Sequence, residues 1–123
     1  MAETPVVLVV EDEPMIRMLA ADMLDVLGWG VLEAGLAEEA VKFAEDAGER
    51  FEAALVDLGL PDRSGEELVG DLRRLRPGLP IIVTTGRDEQ DMDEALREAV
   101  VFLGKPYQLS DLEAAFSALK RDA

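Results

Sequence analysis

The chain has 123 residues, 49% of them apolar, with 27 acidic against 12 basic side chains and a net charge of −15, enough for one domain with its own core. It contains neither cysteine nor histidine, which excludes a disulfide framework, thiolate and imidazole metal sites, and histidine-based triads. Such acidity repels nucleic acid and anionic membrane surfaces, and no apolar run approaches the length of a spanning helix, so a cytoplasmic protein that binds neither is expected.

Val6–Val10 (VVLVV) opens the pattern as a strand apolar enough to be buried on both faces, and it runs straight into Glu11, Asp12 and Glu13. Ile16, Leu19, Ala20, Met23, Leu24 and Leu27 then recur at helical spacing, with Gly28 as a stop. Val31–Ala34 is the second strand. Ala40, Val41, Ala44 and Ala47, closed by Gly48, make a second helical stripe. Ala53–Val56 is the third strand and ends in Asp57. Leu68, Val69, Leu72 and Leu75 follow at helical spacing, ended by Pro77 and Gly78.

Ile81–Thr84 is the fourth strand and leads into Thr85 and Gly86. Asp88, Met92, Ala95, Leu96 and Ala99 predict a helix with a shallow apolar face, and Val100–Leu103 the fifth strand, ending in Gly104-Lys105-Pro106. Ser110-Asp111-Leu112-Glu113 reads as a capping box for a last helix carrying Leu112, Ala115, Phe116 and Leu119. No linker or repeat interrupts this alternation, so 1–123 is read as one domain. The fold class is α/β, a doubly wound five-stranded parallel sheet of order 2-1-3-4-5 with helices on both faces. In that order strands one and three are neighbours, and the ligand crevice lies between their carboxyl ends.

Glu11, Asp12 and Asp57 would meet at that rim, with Thr84 and Thr85 from a third strand and Lys105 from a fourth. Each has an ordinary reading alone: an aspartate after a strand is usually a turn former or cap, Lys-Pro a turn, and threonine a strand former. Their joint occurrence at four strand ends is far more specific. Clustered carboxylates without imidazole or thiolate form a hard-oxygen site suited to Mg²⁺. A lysine and a hydroxyl opposite suit phosphoryl oxygens, and a carboxylate can act as nucleophile to form an acyl phosphate.

The motifs "VLVVEDEP", "ALVDLGLPDRSG", "PIIVTTG" and "FLGKPY" together resemble the receiver domain of two-component response regulators, a flavodoxin-like (βα)5 fold, over essentially the whole chain. The resemblance implies that Asp57 is the phospho-acceptor, served by a histidine kinase or phosphotransfer protein. It implies a Mg²⁺ site made by Asp12 and Asp57 directly, Glu11 through water, and the Gly59 carbonyl. Thr85 is the switch hydroxyl, Lys105 the phosphoryl contact, Phe102 the aromatic switch position, and Pro106 follows a cis peptide bond that aims Lys105. The readout face for a downstream effector is made by the 88–99 helix, the fifth strand and the last helix. The protein is then no enzyme beyond Mg²⁺-dependent self-phosphorylation and slow autodephosphorylation, and a monomer or phosphorylation-dependent dimer.

Glu11 stands where many relatives have Asp, and Phe102 lacks a tyrosine's hydroxyl. Ordinary packing on an edge strand is the competing reading for Phe102. Glu13 is read as helix-start charge, Gly65 as a backbone-geometry residue rather than a ligand, and Gly86 as open access or a turn. Arg87 is read as pairing with surface acids. A constitutive pseudo-receiver is the main alternative; the presence of Asp57, Thr85 and Lys105 argues against it. A flavin mononucleotide carrier would need a phosphate loop after the first strand, where three acids stand. A haloacid-dehalogenase-type phosphatase would need a second Asp where Gly59 stands.

Overall fold

In the computed structural model, which describes residues 5–46, 48–85, 101–105 and 107–121, the elements follow in the order β1 (Val6–Val10), α1 (Pro14–Val26), β2 (Gly30–Ala34), α2 (Ala37–Glu45), β3 (Ala53–Asp57), α3 (Gly65–Leu75), β4 (Ile81–Thr85), β5 (Val101–Gly104) and α4 (Leu109–Arg121). The strands form one five-stranded sheet of order β2-β1-β3-β4-β5, every pairing parallel. That is the expected doubly wound order, so β1 and β3 are neighbours and their carboxyl ends share a rim.

Strand alternation divides the core into two layers. Leu8 and Val10 of β1 face one cluster with Ala37, Ala40 and Ala44 of α2 and Leu68, Val69 and Leu72 of α3. Val7 and Val9 face the other, with Ala20 and Leu24 of α1 and Leu112, Ala115 and Phe116 of α4. Val7–Val10 are at most 1% exposed, and burying each such side chain contributes about 1.5–3 kcal/mol. A strand apolar on both faces therefore fits only the middle of this sandwich.

The end of α1 is set by Gly28, as its sequence position suggests. Gly28 has φ +93°, and its N–H donates to the Asp25 carbonyl while Trp29 N–H donates to Leu24. This Schellman arrangement needs a left-handed residue, which glycine supplies without strain. Trp29 then packs its ring on Phe116 of α4, with centroids 4.9 Å apart.

Several expected boundaries move. β2 begins at Gly30, because Gly30 N–H finds the Pro5 carbonyl at 2.7 Å. β3 and β4 each run one residue further, to Asp57 and Thr85, since the ladder continues through Leu58 N–H to Thr84 O and Lys105 N–H to Thr85 O. A polar residue ends an apolar run without ending the backbone ladder. α2 ends at Glu45 rather than at Gly48. Ser110 is not the cap of the last helix: α4 starts at Leu109, and Asp111 reaches back to accept Gln108 N–H at 2.9 Å.

The α1 stripe is only partly buried. Ala20 and Leu24 enter the core, whereas Leu19 is 54% exposed, because the sheet covers a narrower band of the helix than its apolar residues span. Ala47, the side chain of Leu119, Val100, the expected 88–99 helix, Gly86, Arg87 and Pro106 with its expected cis peptide bond lie outside the described residues. Among the described residues no helix is long and apolar enough to cross a membrane.

Candidate functional site

β1 delivers Glu11 to the rim almost fully buried, 5% exposed, its N–H bonded to the Ala34 carbonyl of β2 at 3.0 Å. Both carboxylate oxygens are engaged. Oε2 accepts the Glu13 N–H at 3.1 Å, and Oε1 accepts Lys105 Nζ at 3.1 Å. Glu13 itself is exposed and sits at the N-cap of α1, with no side-chain cap bond. β3 delivers Asp57, 6% exposed, where Oδ1 lies 3.1 Å from Lys105 Nζ and accepts the Gly59 N–H at 3.1 Å.

One ammonium thus bridges two buried carboxylates from adjacent strands. Glu11, Asp12 and Asp57 each offer a carboxylate oxygen within 4.8 Å of the others. This all-oxygen, triply acidic donor set fits a hard divalent cation such as Mg²⁺. The electrostatics show an excess of negative charge. Burial alone would lower the Lys105 pKa, but its hydrogen bond to Asp57, the charge of Asp57 and the same two contributions from Glu11 hold it above the ordinary lysine value. Burial raises the pKa of Glu11 above the usual carboxylate value; the charge of Asp57 adds to it, and the Glu13 N–H and Lys105 only partly oppose it. Two carboxylates sharing one ammonium hold that cation, while burial, with the charge of Asp57, leaves Glu11 only partly compensated.

The family model for the response regulator receiver domain matches residues 7–117. The chain belongs to the response regulator receiver domain family. It is 36% identical over 109 residues to the transcriptional regulatory protein PdtaR of Mycobacterium tuberculosis, covering 86% of this chain and 52% of that protein. Among solved structures, a CheY-like receiver domain protein from Methanospirillum hungatei superposes with a TM-score of 0.85 at 30% identity, covering 97% of this chain and 96% of that one. A Burkholderia pseudomallei response regulator, described with a phosphorylated aspartic acid and a calcium ion, does so with a TM-score of 0.76 at 28% identity, over 96% of this chain and 72% of that one. The chain spans about half the length of the curated relatives it matches.

In this receiver domain the structure brings Glu11, Asp12, Asp57 and Lys105 together. Thr84 pairs with Asp57 in register, and Thr85 ends β4 beside Gly104, 6% exposed. Val83 pairs with Phe102, so strand alternation puts Thr85 and Phe102 on the same face of the sheet. Phe102 is partly buried against the α2–α3 cluster. Gly59 is exposed and lies beside the Asp57 carboxylate.

The receiver fold also explains Gly65. A Cβ there would stand 2.5 Å from Leu58 Cα and 2.9 Å from the Asp57 carbonyl, so only glycine lets α3 start against the end of β3. Three neighbours of the site were not legible as such. Tyr107, half-buried, borders with Lys105 a cavity of about 390 Å³ against Ile16, Leu19, Ala20 and Met23 of α1. Asp62, in the loop after Asp57, accepts the Ala37 and Glu38 N–H groups at the start of α2, each at 3.0 Å. Arg17 donates to the Glu11 carbonyl at 2.8 Å. The last two act on backbone atoms, which leave no mark in side-chain spacing; a lone basic residue on an otherwise acidic helix is the one available signal for Arg17.

Proposed function

We propose that this receiver domain is a phospho-acceptor switch in which Asp57 takes a phosphoryl group from the phosphohistidine of a kinase or phosphotransfer protein. An Asp57 oxygen attacks phosphorus; the new P–O bond forms as the P–N bond breaks, and the imidazole nitrogen leaves with the bonding pair. Glu11, Asp12, Asp57 and the Gly59 carbonyl would hold Mg²⁺, which when bound neutralises charge on the phosphoryl oxygens. The single observation that carries the reading is the Lys105 bridge, 3.1 Å to both Glu11 and Asp57, at the carboxyl ends where the fold places its crevice.

Phosphorylation adds about 1.5 to 2 negative charges at Asp57. The Lys105 ammonium, already bonded to Asp57, turns from Glu11 to the new oxygens, and the Thr85 hydroxyl moves to meet them. Phe102, on the same sheet face as Thr85, follows into the space vacated. The face that carries β5 and α4 then passes the signal to a downstream effector, as a shift between two populations. No substrate is turned over; the chain gains a phosphoryl group and slowly loses it. A constitutive interaction module would have no use for an ammonium bridging two buried carboxylates, whose desolvation works against stability.

Beryllofluoride with Mg²⁺, a phosphoryl mimic, tests this. Amide shift changes should spread through residues 85–103 and be lost in Asp57→Asn. A wild-type spectrum unchanged in that segment contradicts the switch.

A further inference from the structure

Arg17 sits on α1 with its side chain 23% exposed and its Nε paired with Glu33 Oε1 at 3.3 Å. Its Nη1 donates to the Glu11 carbonyl at 2.8 Å. That carbonyl belongs to the peptide joining Glu11 to Asp12. The other side of Glu11 is already fixed, its N–H bonded to the Ala34 carbonyl, so the guanidinium fixes the plane from which the Asp12 side chain departs. A second observation shows that the fold makes room for it: a Cβ on Gly35 would meet Arg17 Nη1 at 3.0 Å and Glu39 Oε1 at 3.6 Å. The first residue after β2 lacks a side chain where the guanidinium passes.

We infer that Arg17 is a positioning residue for the metal site, holding the Glu11–Asp12 peptide so that the two carboxylates converge with Asp57. The inference rests on the metal-site reading above. Coulomb's law by itself gives Arg17 the opposite role, since a cation beside an acidic cluster repels a divalent ion. Removing the guanidinium therefore raises metal affinity if its charge dominates and lowers it if its hydrogen bond dominates. Residues that orient metal ligands typically contribute 10–100-fold to affinity, more than a guanidinium already paired with Glu33 and partly open to solvent takes away.

The test is Mn²⁺ affinity of the full chain, read as free Mn²⁺ by electron paramagnetic resonance, for wild type, Arg17→Met and Asp12→Ala, with folding checked by circular dichroism. Arg17→Met is expected to bind Mn²⁺ about tenfold more weakly. Unchanged or tighter binding overturns the inference. Should Arg17→Met fail to fold, Arg17→Lys keeps the charge but cannot span both Glu11 and Glu33; it is expected to bind several-fold more weakly, and wild-type affinity in it overturns the inference equally. If Asp12→Ala binds like wild type, the metal-site reading and the role of Arg17 both fall. If Asp12→Ala loses binding while Arg17→Met keeps it, only the role of Arg17 falls.

Discussion

Lys105 Nζ stands 3.1 Å from Asp57 Oδ1 and equally far from Glu11 Oε1, so the residue that follows β5 shares one positive charge between two carboxylates that β1 and β3 bury side by side. Replacing Lys105 with Met keeps most of the side-chain volume and removes the charge. Both acids are then left without their counter-ion, a loss of about 1–3 kcal/mol. Urea unfolding in metal-free buffer should show it, and adding Mg²⁺ should narrow the gap, because without the competing ammonium the variant's folded state binds the cation more tightly and gains more from it. Equal stabilities of wild type and variant without metal would show that the bridge contributes nothing.

The acidic triplet at the end of β1 splits into unlike parts. Asp12 shares oxygens within 4.8 Å of Glu11 and Asp57, whereas Glu13 is exposed at the start of α1. Asp12→Ala is expected to weaken Mg²⁺ binding by about tenfold or more, and Glu13→Ala to leave it within a factor of about two, since an exposed charge is screened. Titration calorimetry of the two variants checks this, and equal losses would place the metal elsewhere.

Gly65→Ala drives a methyl into the Asp57 carbonyl and the Leu58 backbone, 2.9 and 2.5 Å away. Backbone cannot rotate aside as a side chain can. The substitution should cost about 1–3 kcal/mol as overpacking and move the amide resonances of Asp57 and Leu58. Gly70, where a Cβ meets nothing within 4 Å, is the control: Gly70→Ala on the α3 surface should gain up to about 1 kcal/mol from helix propensity.

Asp62 ties the loop after Asp57 to the start of α2. The Ala37 N–H holds its pKa below the ordinary 3.8, with the Glu38 N–H and Arg63 adding to the effect and slight burial opposing it. A depressed carboxylate stabilises the fold above its unfolded pKa and loses that contribution as pH falls through the folded value. The melting-temperature gap between wild type and Asp62→Ala should therefore be constant from neutral pH to about pH 5, then close below about pH 4. A gap that persists at the acid end would mean the two N–H bonds do not depend on the charge.

Much of this molecule can be read from its sequence because burial on two faces writes itself as unbroken apolar runs. Val6–Val10 and Ala53–Val56 announced central strands, their carboxyl ends announced the crevice, and Gly28 announced the end of α1, where it takes a positive φ. What depended on backbone acceptors could not be read. Asp111 rather than Ser110 bonds the start of α4, because which polar side chain finds the free N–H is decided by where β5 releases the chain. Arg17 and Asp62 act across 6 and 24–25 residues on main-chain atoms, with no partner side chain to betray them. The α1 stripe marked an apolar face correctly but not how much of it the sheet covers, so Leu19 reads as core and stands open.

The central claim is that Asp57 accepts a phosphoryl group. Incubation of the chain with acetyl phosphate and Mg²⁺, followed by intact mass, tests it most directly, with peptide mapping after borohydride trapping to locate the site. The expected result is a gain of one phosphoryl group in wild type, mapped to Asp57, lost in Asp57→Asn and dependent on the metal. A gain that survives in Asp57→Asn, or that maps to another residue in wild type, would contradict it.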